Sequence, residues 1–181
     1  MTPASSAVAV TDGFDDEDAG SEAAADAVVF RLGDGRFAVA LGEVAEVGKV
    51  PHVTRVPGVP GWLAGAANWR GRILPVLDLR TLMGAEAGHV GAAARLVVLT
   101  SDVATVGVLV DAVEGTAALG TEDATSPPPV AGLGAGLVCG QVVRDEGPVA
   151  VVDVAAVMRL RDALPRSRHK SEEGSWTSPS G

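Results

Sequence analysis

The sequence predicts a mainly β fold of two small lobes packed side by side and followed by one helix. A hairpin pattern near the start, a strand–turn–strand corner in the middle, and the recurrence of both in the same order are the observations that predict it. The chain has 181 residues, of which 47% are hydrophobic but only 3% aromatic, and it contains no tyrosine. The core must therefore be built from valine, leucine and alanine, and close packing of short strands is needed to bury enough apolar surface.

The first predicted element is a hairpin over residues 28–41. Residues 28–32 and 36–41 alternate apolar and polar side chains, and Asp34-Gly35 between them is a strong hairpin signal. Val28, Phe30 and Leu32 share one face of the first strand, and Phe37, Val39 and Leu41 share the matching face of the second.

The next stretch predicts irregular and edge-like structure. Val44 and Val47 are three apart, which favours either a single helical turn or a bent strand. Pro51, Pro57 and Pro60 then predict an extended segment at a sheet edge, before residues 62–69 return toward the central corner.

The central corner lies over residues 70–84. Arg70-Gly71 is a turn signal, and residues 73–77 form a short apolar run typical of a buried strand. Asp78 can accept a backbone hydrogen bond and begin a helix, and Gly84 can end it.

The second half repeats this pattern. Residues 95–100, a turn at Asp102 and residues 104–113 reproduce the opening hairpin, displaced by 68 positions from Asp34. Residues 147–158 mirror the central corner, with Asp153 where Asp78 stood, and predict a final helix from Asp153 to about Leu164. Two similar β lobes are therefore expected.

Charge and composition divide the chain into a folded region over residues 28–164 and two tails. Residues 1–27 hold seven acidic side chains and no basic one, and residues 165–181 are rich in Ser and mixed charge, so both tails are expected to be disordered. The net charge of −9 is largely a property of the first tail, and neither part has the clustered lysine and arginine of a nucleic-acid-binding protein. A secretory signal and an apolar span for membrane insertion are not apparent, and the single Cys139 suits a reducing compartment. A cytoplasmic protein is expected.

Candidate catalytic and metal-binding residues are few. His52, His89 and His169 lie in predicted loops and a tail, without metal-ligand spacing, and are expected to be solvated. Cys139 lies in an apolar strand run and is predicted to be a buried, inert thiol. The glycine run over residues 132–136 lacks the Lys-Ser/Thr of a phosphate-binding loop and is predicted to be a turn.

The two best-placed carboxylates are predicted to be structural. Asp78 and Asp153 each follow a strand and begin an apolar helical stretch, which is the position of a helix N-cap rather than of an acid–base pair. The residues therefore predict no enzyme, cofactor or metal site.

The central stretch resembles the CheW-like coupling proteins of bacterial chemotaxis. The shared pattern is Asn68-x-Arg70-Gly71, an apolar strand with proline, and then Asp-Leu-Arg over residues 78–80. The resemblance extends upstream over residues 30–34, 43–47 and 53–57, and ends downstream near Leu164. It implies two five-stranded, SH3-like barrels with a shared apolar seam. Trp69 departs from the family pattern, which more often has a leucine-like residue there.

The resemblance also implies a non-catalytic adaptor between the cytoplasmic tips of methyl-accepting chemoreceptors and the regulatory domain of the histidine kinase CheA. A CheW-like adaptor of another sensory pathway, such as pilus motility, remains an alternative, and a small ligand-binding barrel is a more remote one. Arg70 and Glu46 would belong to the partner-binding face, although a solvated surface pair is the simpler interpretation. The other implied partner-binding residues lie in the motif or along the seam, where plain core is the alternative: Val44, Gly65, Asn68, Gly71, Val97, Val98, Gly107 and Val108.

Overall fold

The computed structural model describes residues 26–84, 90–120, 125, 134 and 136–162. Within these ranges most residues lie in strands, as the alternating patterns predict. The elements in chain order are β1 (Ala27–Leu32), β2 (Gly35–Ala40), β3 (Val44–Lys49), β4 (Val53–Thr54), β5 (Leu63–Trp69), β6 (Arg72–Asp78), α1 (Leu79–Leu82), β7 (Arg95–Thr100), β8 (Thr105–Val110), β9 (Ala112–Ala117), β10 (Val138–Arg144), β11 (Gly147–Val152) and α2 (Val154–Asp162).

The strands form two sheets, which confirms the mainly β, two-lobed prediction. The sheet that contains both ends of the fold, the terminal sheet, has the order β10-β11-β2-β1-β9. The other, the central sheet, has the order β3-β7-β8-β6-β5-β4. The central sheet thus carries one strand more than the predicted five, because the proline-rich segment adds the two-residue edge strand β4.

The predicted internal repeat is present, but each sheet takes strands from both halves of the chain. Hairpin β1–β2 pairs with β9 on one side and β11 on the other, whereas hairpin β7–β8 pairs with β3 and β6. The β2–β11 and β6–β8 pairings are parallel, and all the other pairings are antiparallel. Both sheets therefore have the same strand arrangement, built by a reciprocal exchange between the two repeats.

The opening hairpin forms with two corrections. Leu32 pairs with Gly35, so the two turn residues are Gly33 and Asp34 rather than Asp34 and Gly35. Gly33 takes the positive φ of +57° that this tight turn requires. Leu41 does not extend β2; it begins a 3₁₀ turn over Leu41–Glu43 and is exposed.

The central corner also forms, with one residue placed differently. Trp69 pairs with Arg72, and the two turn residues, Arg70 and Gly71, have φ of +50° and +78°, the pattern of a type I′ hairpin turn. Ile73, predicted in a buried run, is 77% exposed because it lies beside the turn, at the solvent-facing end of β6.

Two further predictions are resolved or corrected downstream of the first hairpin. The helical turn or bent strand expected around Val44 is a strand, β3, with a bulge between Val44 and Glu46. The run over residues 104–113, predicted as one strand, breaks at Asp111 into β8 and β9, which belong to different sheets.

One hydrophobic core joins the two sheets. It brings together side chains from β1 and β2 of the terminal sheet, from β6, β7 and β8 of the central sheet, and from α2. A second core lies inside the central sheet, around Leu74, Val76, Leu96 and Val98. The shared core makes the two sheets one packing unit and corresponds to the predicted seam.

Both predicted helix caps are present. The backbone N–H of Arg80 donates to Asp78 Oδ1 at 3.0 Å, and that of Ala156 donates to Asp153 Oδ1 at 3.1 Å. Val157 and Met158 of α2 are buried in the shared core, whereas the predicted helix end at Leu164 lies outside the described residues.

A buried ion cluster ties the corner to the rest of the fold. Arg80 donates from Nη1 to Asp111 Oδ1 at 2.9 Å and contacts both carboxylate oxygens of Asp78 at 3.3 Å. Asp111 Oδ2 accepts from the backbone N–H of Gly33 at 2.7 Å. Because Asp111 lies at the crossover between β8 and β9 and Gly33 in the first hairpin turn, the cluster connects the two sheets.

The folded region begins slightly earlier than residue 28. Asp26 accepts backbone hydrogen bonds from Leu119 and Gly120 at 2.8 and 2.7 Å, and Ala27 opens β1. The remainder of the two predicted tails lies outside the described residues. No helix among residues 26–84, 90–120 and 136–162 is long and apolar enough to cross a membrane.

We predict that Gly65→Ala lowers the free energy of unfolding by at least ~2 kcal/mol. Gly65 lies at a bulge in β5 with φ of +147°, and an added Cβ would overlap the carbonyl oxygen of Thr54 in β4. Urea unfolding followed by circular dichroism measures the change. Gly42→Ala is the control, since a Cβ there meets no atom within 4 Å, and a loss of equal size in both variants would contradict the steric explanation.

Candidate functional site

A cluster of polar contacts at the surface joins Glu46, Trp69 and Arg70. The indole Nε1–H of Trp69 donates to Glu46 Oε2 at 2.9 Å, and Arg70 Nε donates to the same oxygen at 2.8 Å. The Arg70 guanidinium carbon also lies 5.6 Å from the centroid of the Trp69 ring, within cation–π range. We call these three residues the Glu46–Trp69–Arg70 cluster.

The cluster bridges two parts of the central sheet that are far apart in strand order. Glu46 lies on the edge strand β3, whereas Trp69 and Arg70 lie at the end of β5 and in the β5–β6 turn, with β7, β8 and β6 between them. These side chains can meet only because the twisted sheet curls around its own interior core, against which Trp69 packs. The curvature of the sheet therefore assembles the site.

The turn itself presents Arg70 to solvent. Among the residues that the structure describes, Arg70 is the only non-glycine residue with positive φ. Asn68 Oδ1 accepts from the backbone N–H of Gly71 at 2.9 Å, which stabilises the turn from inside the motif. The Arg70 side chain is 70% exposed and that of Glu46 is 34% exposed.

The two charges stabilise each other. The hydrogen bond from Arg70, assisted by the Trp69 indole, holds the pKa of Glu46 below its usual range, and Glu46 in turn raises the pKa of Arg70. Within the described part of the chain, Arg70 makes its hydrogen bond through Nε alone, so Nη1 and Nη2 remain available. An arginine held in this way can receive a planar carboxylate from another molecule.

The predicted seam residues lie inside the protein. Val97 and Val108 belong to the core shared by the two sheets, and the half-buried Val44 packs against it. Val98 and Gly107 are also buried but face the interior of the central sheet, where a Cβ at residue 107 would crowd Leu96 and Leu74.

Gly65 is buried where β4 pairs with β5. None of these interior side chains offers a partner more than a small fraction of its surface. Of the ten predicted partner-binding residues, the exposed or half-exposed polar and turn positions are those that can form a contact surface: Glu46, Asn68, Arg70 and Gly71.

Sequence reasoning missed a neighbouring cleft that two exposed apolar side chains help to line. Ile73 and Val103 are 77% and 81% exposed, and both line a cleft of about 380 Å³ together with Trp69, Arg72 and Arg161. Trp69 also lines a smaller cleft of about 160 Å³ beneath Arg70. The sequence did offer one indication that these two side chains are exposed, because Ile73 and Val103 each lie within two residues of a predicted turn.

The described residues carry no constellation that suggests catalysis. Residues 26–84, 90–120 and 136–162 contain no group of three His, Cys, Asp or Glu side chains placed to hold a metal ion. Cys139 is exposed, contrary to prediction, because it lies on the outer face of the edge strand β10. Desolvation and the charge of Asp153 raise the pKa of the Cys139 thiol, which keeps it protonated and weakly nucleophilic.

Other candidates for chemistry are accounted for by structure. Asp78 and Asp153 are helix caps, as predicted. A cleft of about 600 Å³ is lined mainly by apolar residues, and two of its three charged residues, Asp78 and Arg80, bind each other. His89 and His169 lie outside the described residues.

Comparison with known proteins identifies relatives of this chain. The chain is 44% identical over 87 residues to Protein PilI of Pseudomonas aeruginosa, which is 48% of each protein. It is 33% identical over 99 residues to Protein FrzA of Myxococcus xanthus, covering 55% of this chain and 62% of FrzA. It is 30% identical over 104 residues to the chemotaxis protein CheW of Rhizobium meliloti, covering 58% of this chain and 67% of that protein. The aligned regions thus span about half of PilI and less than two thirds of FrzA.

A solved structure and a family model extend the match to most of the fold. The crystal structure of the scaffolding protein TtCheW from Thermoanaerobacter tengcongensis is similar, with a TM-score of 0.65 and 26% identity over 71% of this chain and 88% of that chain. The model of the CheW-like domain matches residues 26–162, which is all of the folded region. The chain therefore belongs to the CheW-like domain family.

Proposed function

We propose that this chain is a cytoplasmic, non-catalytic adaptor that couples methyl-accepting chemoreceptors to the regulatory domain of a CheA-type histidine kinase. Membership of the CheW-like family supports an adaptor role, as does the similarity to a protein described as a scaffold.

The observation that carries the proposal is the fixed, outward-facing Arg70. Its Nε is occupied by Glu46, while its terminal nitrogens face solvent. An ion pair this exposed contributes little to stability, so its role is better explained by contact with a partner than by folding. Arginine in this geometry suits a bidentate contact to a carboxylate across an interface.

Coupling then needs two interfaces on one rigid body. The core shared by the two sheets makes the folded region such a body. The bias that the adaptor passes from receptor to kinase cannot exceed its differential affinity for the two receptor states. In a multivalent assembly, contacts that are weak one by one are sufficient.

A second candidate is the same adaptor role in a pathway other than chemotaxis. The relatives PilI and FrzA, at 44% and 33% identity, do not carry the CheW name. The partners would then be a different receptor and a different kinase of the same classes. The genes that neighbour this one would distinguish the two pathways.

We predict that Arg70→Glu weakens binding to the regulatory domain of the CheA-type kinase of the same organism by ~2 kcal/mol or more. The substitution removes the carboxylate-binding fork and places a second negative charge beside Glu46. The expected change in the free energy of unfolding is no more than ~1 kcal/mol, because the side chain is exposed. Isothermal titration calorimetry measures binding, and thermal unfolding measures stability.

Arg31→Glu is the matched control for that experiment. Arg31 is an exposed arginine on β1 of the terminal sheet, so the variant makes the same charge change on another face. Equal loss of binding in both variants would show a nonspecific charge effect. Unfolding of Arg70→Glu would show instead that Arg70 is structural.

We predict that Glu46 titrates below the usual range of a glutamate and returns toward it in Arg70→Ala. Because the pKa of Glu46 is lowered in the folded state, the contact with Arg70 contributes to folding stability at pH values above the ordinary glutamate pKa. That contribution is lost as the pH falls through the lowered pKa. Carbon-detected NMR of the side-chain carboxylate follows this titration. An unchanged pKa in Arg70→Ala would contradict the pairing.

A further inference from the structure

Trp69 occupies the point at which a charged and an apolar surface meet. Its indole N–H binds Glu46 beside Arg70. Trp69 also lines the cleft to which Ile73 and Val103 contribute. A partner for this face, whose identity rests on the proposed function, must therefore present both a charged and an apolar group.

Two contacts, one with Glu46 and one with the Trp69 ring, restrict the orientation of the Arg70 side chain. A single oxygen, Glu46 Oε2, accepts both the Trp69 indole N–H and Arg70 Nε, so the carboxylate cannot rotate to follow the arginine without losing the indole. The Trp69 ring lies along the guanidinium at 5.6 Å. An exposed arginine normally loses much rotamer freedom on binding, and fixing it beforehand reduces that cost.

The adjoining cleft is lined by apolar and polar side chains in equal number, and its charged residues are two arginines and one aspartate. Ile73 and Val103 are the most exposed large apolar side chains among the described residues. The arginines are Arg72 and Arg161, and the aspartate is Asp102. With the free Nη groups of Arg70 next to it, this cleft favours an acidic partner although the chain as a whole has a net charge of −9.

We propose that Trp69 joins these two halves into one binding surface for an amphipathic segment of the kinase partner that carries a carboxylate next to an aliphatic side chain. The carboxylate binds Nη1 and Nη2 of Arg70, and the aliphatic side chain enters the cleft over Ile73 and Val103. Trp69 is a positioning residue for the first contact, acting through Glu46, and lines the cleft that receives the second.

The test uses the full chain and the same kinase regulatory domain in titration calorimetry. Trp69→Phe keeps the ring and removes the N–H, and we expect about fivefold weaker binding, the equivalent of one net hydrogen bond. In an Arg70→Ala background the same substitution should have no further effect, because it acts through Arg70. Equal, additive losses in the two backgrounds would overturn the positioning role.

The apolar half is tested separately. Val103→Ser should weaken binding about fivefold by removing exposed aliphatic surface from the contact. Val143→Ser is the matched control, since Val143 is similarly exposed but lies on β10 of the terminal sheet. Unchanged binding in Val103→Ser and Trp69→Phe, with binding lost in Arg70→Glu, would overturn this inference and leave the proposed function standing.

A measurement on the free protein separates the two proposals further. Hydrogen exchange at Arg70 Nε–H, followed by ¹⁵N NMR, should be slow in the native chain and faster in Trp69→Phe. Equal exchange in the two proteins would overturn the positioning role whatever the partner does. Slow exchange that depends on Trp69, combined with no binding of the kinase domain by the native chain, would support the positioning role and reject the proposed partner.

Discussion

Strand pairings between the two repeats are the interaction on which the fold depends, and two of them are parallel. Strand β6 pairs with β8 in the central sheet, and β11 pairs with β2 in the terminal sheet. Each pairing joins a hairpin of one repeat to a hairpin of the other, so neither half of the chain contains a complete sheet. Gly107 lies in one of these pairings, where a Cβ would come within 2.9 Å of Leu96. The shared core, the seam and the curvature that assembles the exposed cluster all depend on this exchange.

Local structure was predictable from the sequence, whereas strand partners were not. The opening hairpin, the Arg70-Gly71 turn and the caps at Asp78 and Asp153 depend on residues within a few positions of one another, and each is present. The repeat was also visible, but its pattern does not say which hairpin joins which sheet. Alternation likewise shows that a strand has an inner face without showing where that face ends, which is why Ile73 was misplaced.

The candidate site shows the same contrast between local structure, which the sequence predicts, and contacts between distant residues, which it does not. Glu46 lies on β3 and Arg70, 24 residues later, lies in the β5–β6 turn on the other side of the sheet order, so only the curled sheet brings Arg70 Nε to 2.8 Å from Glu46 Oε2. No periodicity in the sequence could pair them, and the family resemblance was the sole pointer. The same resemblance assigned Val97 and Val108 to a partner surface, whereas their alternation along β7 and β8 places them in the shared core. A family resemblance indicates which residues to consider as partner-binding. The exposure of each side chain in the structure then shows which of them are accessible.

An adaptor without chemistry of its own can act only through the geometry that it imposes on its partners. A flexible arginine would follow a partner's carboxylate through several orientations and bind different partner states with similar affinity, which would remove any bias to transmit. In this chain Arg70 is held by a turn of fixed backbone geometry, by Glu46 on a distant strand and by the ring of Trp69. In the proposed function, this restraint makes the contact sensitive to the position of the partner, which is the property that coupling requires.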